Sequence, residues 1–246
     1  MLKIFLVGMG TGNTEHITVE GIKILKKSDL ILLPKKNSKK EELFDIRKKI
    51  CSSIIKKKSL IKEYKIPERL QSSSYDKSVN IWHEKISQII MEIISEFEKK
   101  NLNLTFLIWG DSSLYDSTLR IISKMNINYE LKIIPGVTSI QALTSAHLIS
   151  LNEIGESVLI TTGRKLNDKM FIDNQRVIVL LDGKCSFKNL NIDNYYIWWG
   201  AYLGMKKEIL VKGLLKDVIK KIITVRNKSQ KINGWIMDTY LLKKIN

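Results

Sequence analysis

Hydrophobic positions in the first half of the chain alternate between short continuous runs and helical spacing. The runs predict buried strands, and the segments between them place apolar residues three and four positions apart, as amphipathic helices do. The predicted elements are strands at 2–7, 29–33, 104–109 and 129–134 and helices at 14–27 (N-capped by Thr14), 43–56, 76–100, 116–125 and 138–148. This alternation predicts an α/β fold with a mostly parallel sheet covered by helices.

The predicted strands follow one another more closely after Gly155. They lie at 157–162, 176–181, 195–199, 207–212 and 234–237. Closer strands predict a second, mixed α/β domain. Because Pro135 and Gly136 interrupt the chain between the two patterns, we expect an N-terminal domain over 1–135 and a C-terminal domain over 136–246. Thr138 and Gln141 stand three positions apart, which predicts a capping box for helix 138–148.

Composition excludes several classes of protein. The apolar fraction of 44% is too high for a disordered chain. No apolar run reaches the roughly 18 residues that a membrane span needs, and the strand-like opening residues argue against a signal peptide. The two cysteines, Cys51 and Cys185, lack metal-ligand spacing. We therefore expect a cytoplasmic protein with reduced thiols, no metal site and no membrane partner.

The formal charge of +16 does not by itself predict nucleic-acid binding. Of the 41 basic residues six are arginine, so the other 35 are lysine. Phosphate recognition usually favours arginine, whose planar guanidinium binds phosphate through two hydrogen bonds at once. Most of the lysines are therefore expected at a solvated surface, and no nucleic-acid partner is expected. A positive field would still assist the binding of a polyanionic small molecule.

Two glycine-containing turns follow predicted strands. In open α/β sheets, ligands bind beyond the carboxyl ends of the strands. The first turn, at residues 8–12, reads G-x-G-x-G and matches neither the dinucleotide fingerprint nor a phosphate-binding P-loop, so NAD and ATP are disfavoured. The second turn places Gly110 and Asp111 after the strand at 104–109. Two such turns predict an enzyme that binds a small polar cofactor.

Four segments occur in a characteristic order, at 7–12, 109–115, 134–139 and 198–201. Over essentially the whole chain they resemble the tetrapyrrole (corrin and porphyrin) methyltransferase family. The resemblance implies two αβα domains with a cleft between them that binds S-adenosylmethionine, a tetrapyrrole substrate and a homodimer. Further motifs, at 82–83, 163–164, 202–205 and 234–242, resemble family members that methylate a corrin precursor and release acetate.

The resemblance also implies which residues form the site. Those implied to bind the cofactor are Thr11, Trp109, Gly110, Asp111, Leu114, Thr138, Ser139, Leu181, Asp182, Gly200 and Ala201. Those expected to bind carboxylates of the tetrapyrrole are Lys35, Arg120 and Arg164. For each polar residue, a purely local role in a turn or helix cap explains the sequence equally well. For Arg120, that local role is an ion pair with Asp116 one helical turn away.

Release of acetate requires a base or an oxyanion donor. Asp111 and Tyr115 are the predicted catalytic residues. His83 and Tyr202 also have suitable chemistry, and the sequence does not choose among the four.

The chain departs from the family pattern at two positions. Ser112 and Thr11 both stand where relatives often have proline, and both changes are expected to loosen the cofactor-binding loops. Three alternative functions stay open at this point. They are methylation of a different ring carbon, modification of RNA by a relative whose basic surface holds phosphates, and a binding module that has lost the cofactor.

Overall fold

The computed structural model describes residues 1–35, 41–55, 61–69, 75–97, 101–170 and 176–245. Contacts within the chain divide it into two compact units, unit 1 (Met1–Val137) and unit 2 (Thr138–Asn246). Most of the charged segment at 35–42 lies outside the described residues. Among the helices described, none combines the length and apolarity that a membrane span requires.

Unit 1 is built on a parallel sheet. Its elements are β1 (Leu2–Gly8), α1 (Val19–Lys27), β2 (Leu30–Lys35), α2 (Glu41–Ile54), β3 (Ile61–Lys65), α3 (Tyr75–Ser95), β4 (Leu102–Ile108), α4 (Thr118–Ile122) and β5 (Tyr129–Ile134). The strands lie in the order β3-β2-β4-β1-β5, and every described pairing is parallel. The predicted α/β fold is therefore confirmed.

Helices cover both faces of this sheet. Side chains alternate along a strand, so Leu6 of β1 packs with α3 and α4, whereas the adjacent Val7 packs with α1 and α2. Because both faces of β1, β2 and β4 are largely buried, these strands are apolar at successive positions rather than at alternate ones, whereas the edge strand β5 is exposed at 130–133. This explains the continuous apolar runs from which the strands were predicted.

Unit 2 contains a mixed sheet. Its elements are α5 (Ser139–His147), β6 (Val158–Thr162), β7 (Arg176–Leu180), β8 (Tyr195–Ala201), β9 (Ile209–Leu214), α6 (Leu215–Asn233) and β10 (Asp238–Lys244). The strand order is β6-β7-β10-β8-β9, with β6 and β7 parallel and the other pairings antiparallel.

The first predicted helix begins later than expected. Residues Thr14–His16 form a single 3-10 turn, capped by Asn13 rather than by Thr14. The backbone is then extended at Thr18, whose hydroxyl accepts a hydrogen bond from the amide of Gly21 at 3.0 Å. Thr18 is thus the N-cap of α1, because its side chain satisfies an amide that the first helical turn leaves unpaired.

Three elements of the structure were not predicted. β3 is an edge strand in which three of the five residues are charged, so it lacks a continuous apolar run. α6 was missed entirely, although its buried residues include Leu215 and Ile222, because lysines on its other faces dilute the apolar pattern. The strand predicted at 234–237 was wrong. Gly234 ends α6 in the left-handed conformation, with φ of 71°, and β10 starts only at Asp238.

Candidate functional site

Three of the four characteristic segments meet at the carboxyl end of the parallel sheet. The amide of Gly110 donates to the carbonyl oxygen of Gly10 at 2.8 Å, forming an isolated antiparallel bridge between the two turns. Gly136 lies against both turns. A Cβ atom on Gly136 would collide with the carbonyl oxygen of Gly110 and lie 2.7 Å from Cα of Gly8. We call this contact of Gly8, Gly110 and Gly136 the glycine junction.

The carboxylate of Asp111 ties two of these segments together. It accepts hydrogen bonds from the amide of Ser113 at 2.8 Å, from the hydroxyl of Ser113 at 2.6 Å and from the amide of Gly136 at 2.8 Å. Burial raises the pKa of Asp111, but these hydrogen bonds outweigh burial, and the net shift is downward. The carboxylate is therefore ionised at neutral pH, and its hydrogen bonds hold the two loops together.

Ser112, one of the departures from the family pattern, is 5% exposed, and its hydroxyl has no hydrogen-bond partner among the described residues. Burying a hydroxyl without a partner is unfavourable. Ser112→Ala should therefore raise the free energy of unfolding by about 1 kcal/mol in urea titrations. Ser113→Ala is the matched control and should lower it, because its hydroxyl donates to Asp111. A Ser112→Ala variant less stable than wild type would contradict this interpretation.

The turn after Asp111 presents side chains outwards. Tyr115 is 46% exposed and has a φ of 52°, a left-handed conformation that is uncommon for a bulky side chain. Leu114 and Trp109 are partly buried. Thr11 is buried, with its hydroxyl 3.4 Å from Nδ1 of His16. Strained backbone of this kind concentrates at functional sites, so Tyr115 is the predicted catalytic residue best placed to contact a ligand.

A second group of side chains surrounds Asp116 at the same end of the sheet. Arg47 on α2 and Tyr64 at the end of β3 both interact electrostatically with Asp116. Burial raises the pKa of Tyr64, the charge of Arg47 partly counteracts this, and Asp116 raises it further. Neither Arg47 nor Tyr64 was predicted from the sequence. The feature of the sequence that could have indicated Arg47 is that arginine is rare in this chain, which is rich in lysine.

His83 belongs to this group as well. It is 1% exposed, and neither ring nitrogen has a hydrogen-bond partner in the described part of the chain. Burial lowers the pKa of His83, as do the positive charges of Arg120 and Lys124, while Asp116 opposes them. The imidazole is therefore neutral at neutral pH. It is covered by protein, so it is not placed to touch a ligand directly.

In unit 2, the loop after β7 exposes a leucine. Leu181 is 64% exposed with φ of 54°, whereas the carboxylate of Asp182 points into the unit. That carboxylate accepts hydrogen bonds from the Tyr240 hydroxyl at 2.6 Å, the Ser186 hydroxyl at 2.9 Å and the Lys184 amide at 3.1 Å. Asp182 thus holds the loop, and Leu181 is the apolar side chain that the loop presents to solvent.

The remaining predicted cofactor residues lie at α5 and β8. The Thr138 hydroxyl accepts from the amide of Ile140 at 3.1 Å, and the side chain of Gln141 accepts from the amide of Thr138 at 3.2 Å. The predicted capping box is therefore confirmed, with partly buried Ser139 as the first residue of α5. Gly200 and Ala201 are buried at the end of β8, where both pair with β9 and β10.

Tyr202 follows directly on β8. Its buried hydroxyl donates to the carbonyl oxygens of Trp235 and Ser229, so this group stabilises unit 2. Its side chain is only 2% exposed. The position argues against Tyr202 as the base, because its hydroxyl is turned into the unit.

The three predicted substrate-binding cations differ in their contacts. Lys35 forms an exposed ion pair with Glu63 at 3.3 Å. Arg120 donates to the main-chain carbonyl oxygen of Asp116 at 3.1 Å, so the expected ion pair between their side chains does not form. The Asp116 carboxylate instead accepts from the amide of Thr118 at 2.7 Å. Arg164 is exposed on a 3-10 turn after β6.

Comparison with known proteins identifies the family. The model of the Tetrapyrrole (Corrin/Porphyrin) Methylases matches residues 3–219, and the chain belongs to this family. It is 40% identical to a precorrin-6A synthase [deacetylating] from Sinorhizobium sp. over 250 aligned positions, covering 99% of this chain and 96% of the relative.

Solved structures agree with this assignment. A cobalamin synthesis related protein (CobF) from Corynebacterium diphtheriae superimposes with a TM-score of 0.86 at 32% identity over the full length of both chains. A uroporphyrin-III C-methyl transferase from Thermus thermophilus, complexed with S-adenyl homocysteine, shares the fold with a TM-score of 0.61 at 14% identity, over 98% of this chain and 91% of that one.

Proposed function

We propose that this chain is a precorrin-6A synthase, which methylates C-1 of precorrin-5 and releases acetate in cobalamin biosynthesis. The observation that carries the proposal is 40% identity to a deacetylating precorrin-6A synthase along 99% of the chain. The glycine junction supports it, because it places three of the characteristic segments in contact at the end of the sheet where α/β enzymes bind ligands.

The methyl donor that we propose is S-adenosylmethionine, which supplies an electrophilic methyl group when bound. The carboxylates of Asp111 and Asp182 already accept several hydrogen bonds, both from their own loops and from Gly136 and Tyr240 respectively. What remains for the cofactor is turn backbone and apolar surface. Within unit 1, Trp109, Leu114 and the main chain of Gly110 provide these. In unit 2, Leu181, which the resemblance implies as a cofactor residue, is exposed. Such surfaces suit an adenine ring and the polar groups of a methionine.

Release of acetate adds water to the acyl group. The oxygen of water joins the acyl carbon, and the bond between that carbon and the macrocycle breaks. Its electron pair stays on the macrocycle and forms the bond to the transferred methyl group, while the surplus proton of the water is released to solvent. Tyr115 is the proposed residue in contact with the acyl group, since its side chain is exposed in a strained turn. Asp111 is proposed to act by holding that turn against Gly136.

The oligomeric state, location and partners are also proposed. We expect a homodimer, located in the cytoplasm, that acts on a small tetrapyrrole rather than on nucleic acid or a membrane. The excess of lysine over arginine supports the absence of nucleic-acid recognition. Light scattering of the purified protein tests the dimer, and binding to RNA that weakens steeply with salt would count against the expected partners.

The decisive experiment supplies the protein with precorrin-5 and S-adenosylmethionine and measures S-adenosylhomocysteine and acetate together. Equal amounts of both products are expected. Methyl transfer without acetate would refute the deacetylating activity and favour a family member that methylates a different ring carbon. Failure to bind S-adenosylhomocysteine in calorimetry would instead favour a binding module without a cofactor.

Replacing Asp111 with asparagine should destabilise the protein and weaken binding of the cofactor. An asparagine side chain cannot accept all three hydrogen bonds, and bonds to a charged group contribute about 1.5–3 kcal/mol each. We expect urea unfolding to show a loss of about 2 kcal/mol at neutral pH, with weaker binding of S-adenosylhomocysteine in calorimetry.

The pH dependence of the Asp111 variant provides a control. Because the pKa of Asp111 is lower in the folded state than in the unfolded state, its stabilising effect is complete above the unfolded value and is lost as the pH falls through the folded value. The stability difference between wild type and Asp111→Asn should therefore shrink in acid. A difference that stays constant with pH would show that the charge of Asp111 is not responsible.

A further inference from the structure

Arg47 brings a positive charge from α2 to the carboxyl end of the parallel sheet. Its Nε donates to the carbonyl oxygen of Leu107 at 3.2 Å, and its Nη1 donates to the carbonyl oxygen of Leu43 at 3.2 Å. The pairing of β2 with β4 ends at Phe106, so the guanidinium binds β4 just beyond that ladder. The turn that contains Gly110 and Asp111 follows three residues later along the chain.

No carboxylate balances this charge within the part of the chain that the structure describes. Both hydrogen-bond acceptors of Arg47 are neutral carbonyl groups, and no ion pair is formed. Asp116 acts on Arg47 electrostatically, but its carboxylate accepts a hydrogen bond from the amide of Thr118. A partly buried cation without an anion is unfavourable, since it has lost solvation without gaining a counter-charge.

The surroundings of Arg47 differ from those of the two fully buried arginines. Arg176 lies 2.9 Å from the carboxylate of Glu156, and Arg226 donates to the carboxylate of Asp238 at 3.0 Å. Both belong to unit 2, and both have an acidic partner within the protein. Arg47 also retains donors, because a guanidinium has five N–H groups and its contacts use two of them. The remaining N–H groups can bind both oxygens of a carboxylate.

We propose that Arg47 binds a carboxylate side chain of the tetrapyrrole substrate and thereby helps to select and position it. This inference rests on the proposed function, since it takes the substrate to be a polycarboxylate macrocycle. The methionine part of S-adenosylmethionine also carries a carboxylate, and the same chemistry would recognise it. We assign Arg47 to the substrate because its guanidinium donates to carbonyl oxygens of β4 and α2, and none of its described hydrogen bonds is to a residue implied to bind the cofactor.

The test measures the dissociation constant of precorrin-5 in the presence of S-adenosylhomocysteine, so that no turnover occurs. Arg47→Met should weaken binding of precorrin-5 at least about tenfold. Arg47→Lys should have an intermediate effect, because lysine keeps the charge but lacks the planar pair of donors. The affinity for S-adenosylhomocysteine alone should stay within about twofold in both variants. Lys49→Met, which removes an exposed charge from the same helix, should change neither affinity.

Each result decides a separate point. Unchanged precorrin-5 affinity in a folded Arg47→Met or Arg47→Lys variant would overturn the proposal. Parallel losses of precorrin-5 and S-adenosylhomocysteine affinity would assign Arg47 to the cofactor instead. If Arg47→Met fails to fold, as judged by thermal unfolding, the Arg47→Lys variant decides alone. Wild-type protein that binds precorrin-5 but releases no acetate would refute the proposed function and leave the comparison of Arg47 variants valid.

Discussion

Gly136→Ala is expected to disrupt the glycine junction and strongly reduce methyl transfer. The added Cβ would collide with the carbonyl oxygen of Gly110 and lie 2.7 Å from Cα of Gly8, and both obstacles are main chain rather than movable side chains. At least one turn must therefore shift. Overpacking of this kind costs up to about 3 kcal/mol, and misplacing a binding loop by about 1 Å can reduce kcat/KM about 100-fold.

Assays of methyl transfer, calorimetry with S-adenosylhomocysteine and urea unfolding measure the effects of Gly136→Ala on rate, cofactor binding and stability separately. Gly183→Ala is the matched control, because it makes the same chemical change where a Cβ would meet no atom within 4 Å. We expect the control to bind the cofactor product and unfold like wild type. If Gly136→Ala also behaves like wild type, the close approach of the three glycines is not required for function.

Arg226→Met should be the most destabilising of the charge-removing substitutions described here. Arg226 on α6 and Asp238 on β10 form an ion pair at 3.0 Å in which both side chains are only 6% exposed. Arg226 also donates to the carbonyl oxygen of Asp182 at 3.2 Å, and Trp199 donates to Asp238 at 3.0 Å. Removing the guanidinium leaves a buried carboxylate without its counter-charge, which costs about 3–5 kcal/mol.

Urea unfolding at neutral pH tests this prediction. Lys228→Met removes a charge from an exposed position of the same helix and should change stability by less than about 0.5 kcal/mol. The double variant Arg226→Met, Asp238→Asn should be more stable than the sum of the single effects predicts, because neither charge is left alone. Strict additivity would show that the two charges do not interact.

The Arg226→Met substitution should also disturb the loop that contains Leu181. The guanidinium donates to the main chain of Asp182, the residue that follows Leu181. Reduced affinity for S-adenosylhomocysteine would therefore accompany the loss of stability if Leu181 binds the cofactor. If Arg226→Met binds S-adenosylhomocysteine more weakly but unfolds like wild type, the loss of affinity does not share its cause with a loss of stability.

Elements with a strong local pattern were predictable. β1 and β4 are buried on both faces, so their continuous apolar runs are a direct consequence of their position. The capping box of Thr138 and Gln141 depends on residues three apart, and it forms as predicted. α6 escaped prediction because its apolar stripe is interrupted by lysines, and only packing on the sheet of unit 2 reveals which of its residues are buried.

The contacts of the polar residues in the candidate site could not be predicted from the sequence. Asp111 and Asp182 were predicted to bind the cofactor, but in the structure their carboxylates accept hydrogen bonds from Gly136 and Tyr240 and hold their loops in place. Arg47 belongs to no sequence motif. In the sequence, a single arginine in a helix cannot be distinguished from an ordinary surface residue, because its surroundings are not known. Its partner Leu107 lies 60 positions away.

The sequence by itself determined the α/β class and the family, and it predicted the segments of the candidate site, because each segment is recognised by spacing within a short stretch of chain. Only the tertiary structure decided how those segments contact one another. The glycine junction joins residues separated by more than 100 positions, and the burial of Asp111 follows from that contact. Side-chain charge is encoded locally, but whether a charge has a partner depends on which distant groups folding brings beside it.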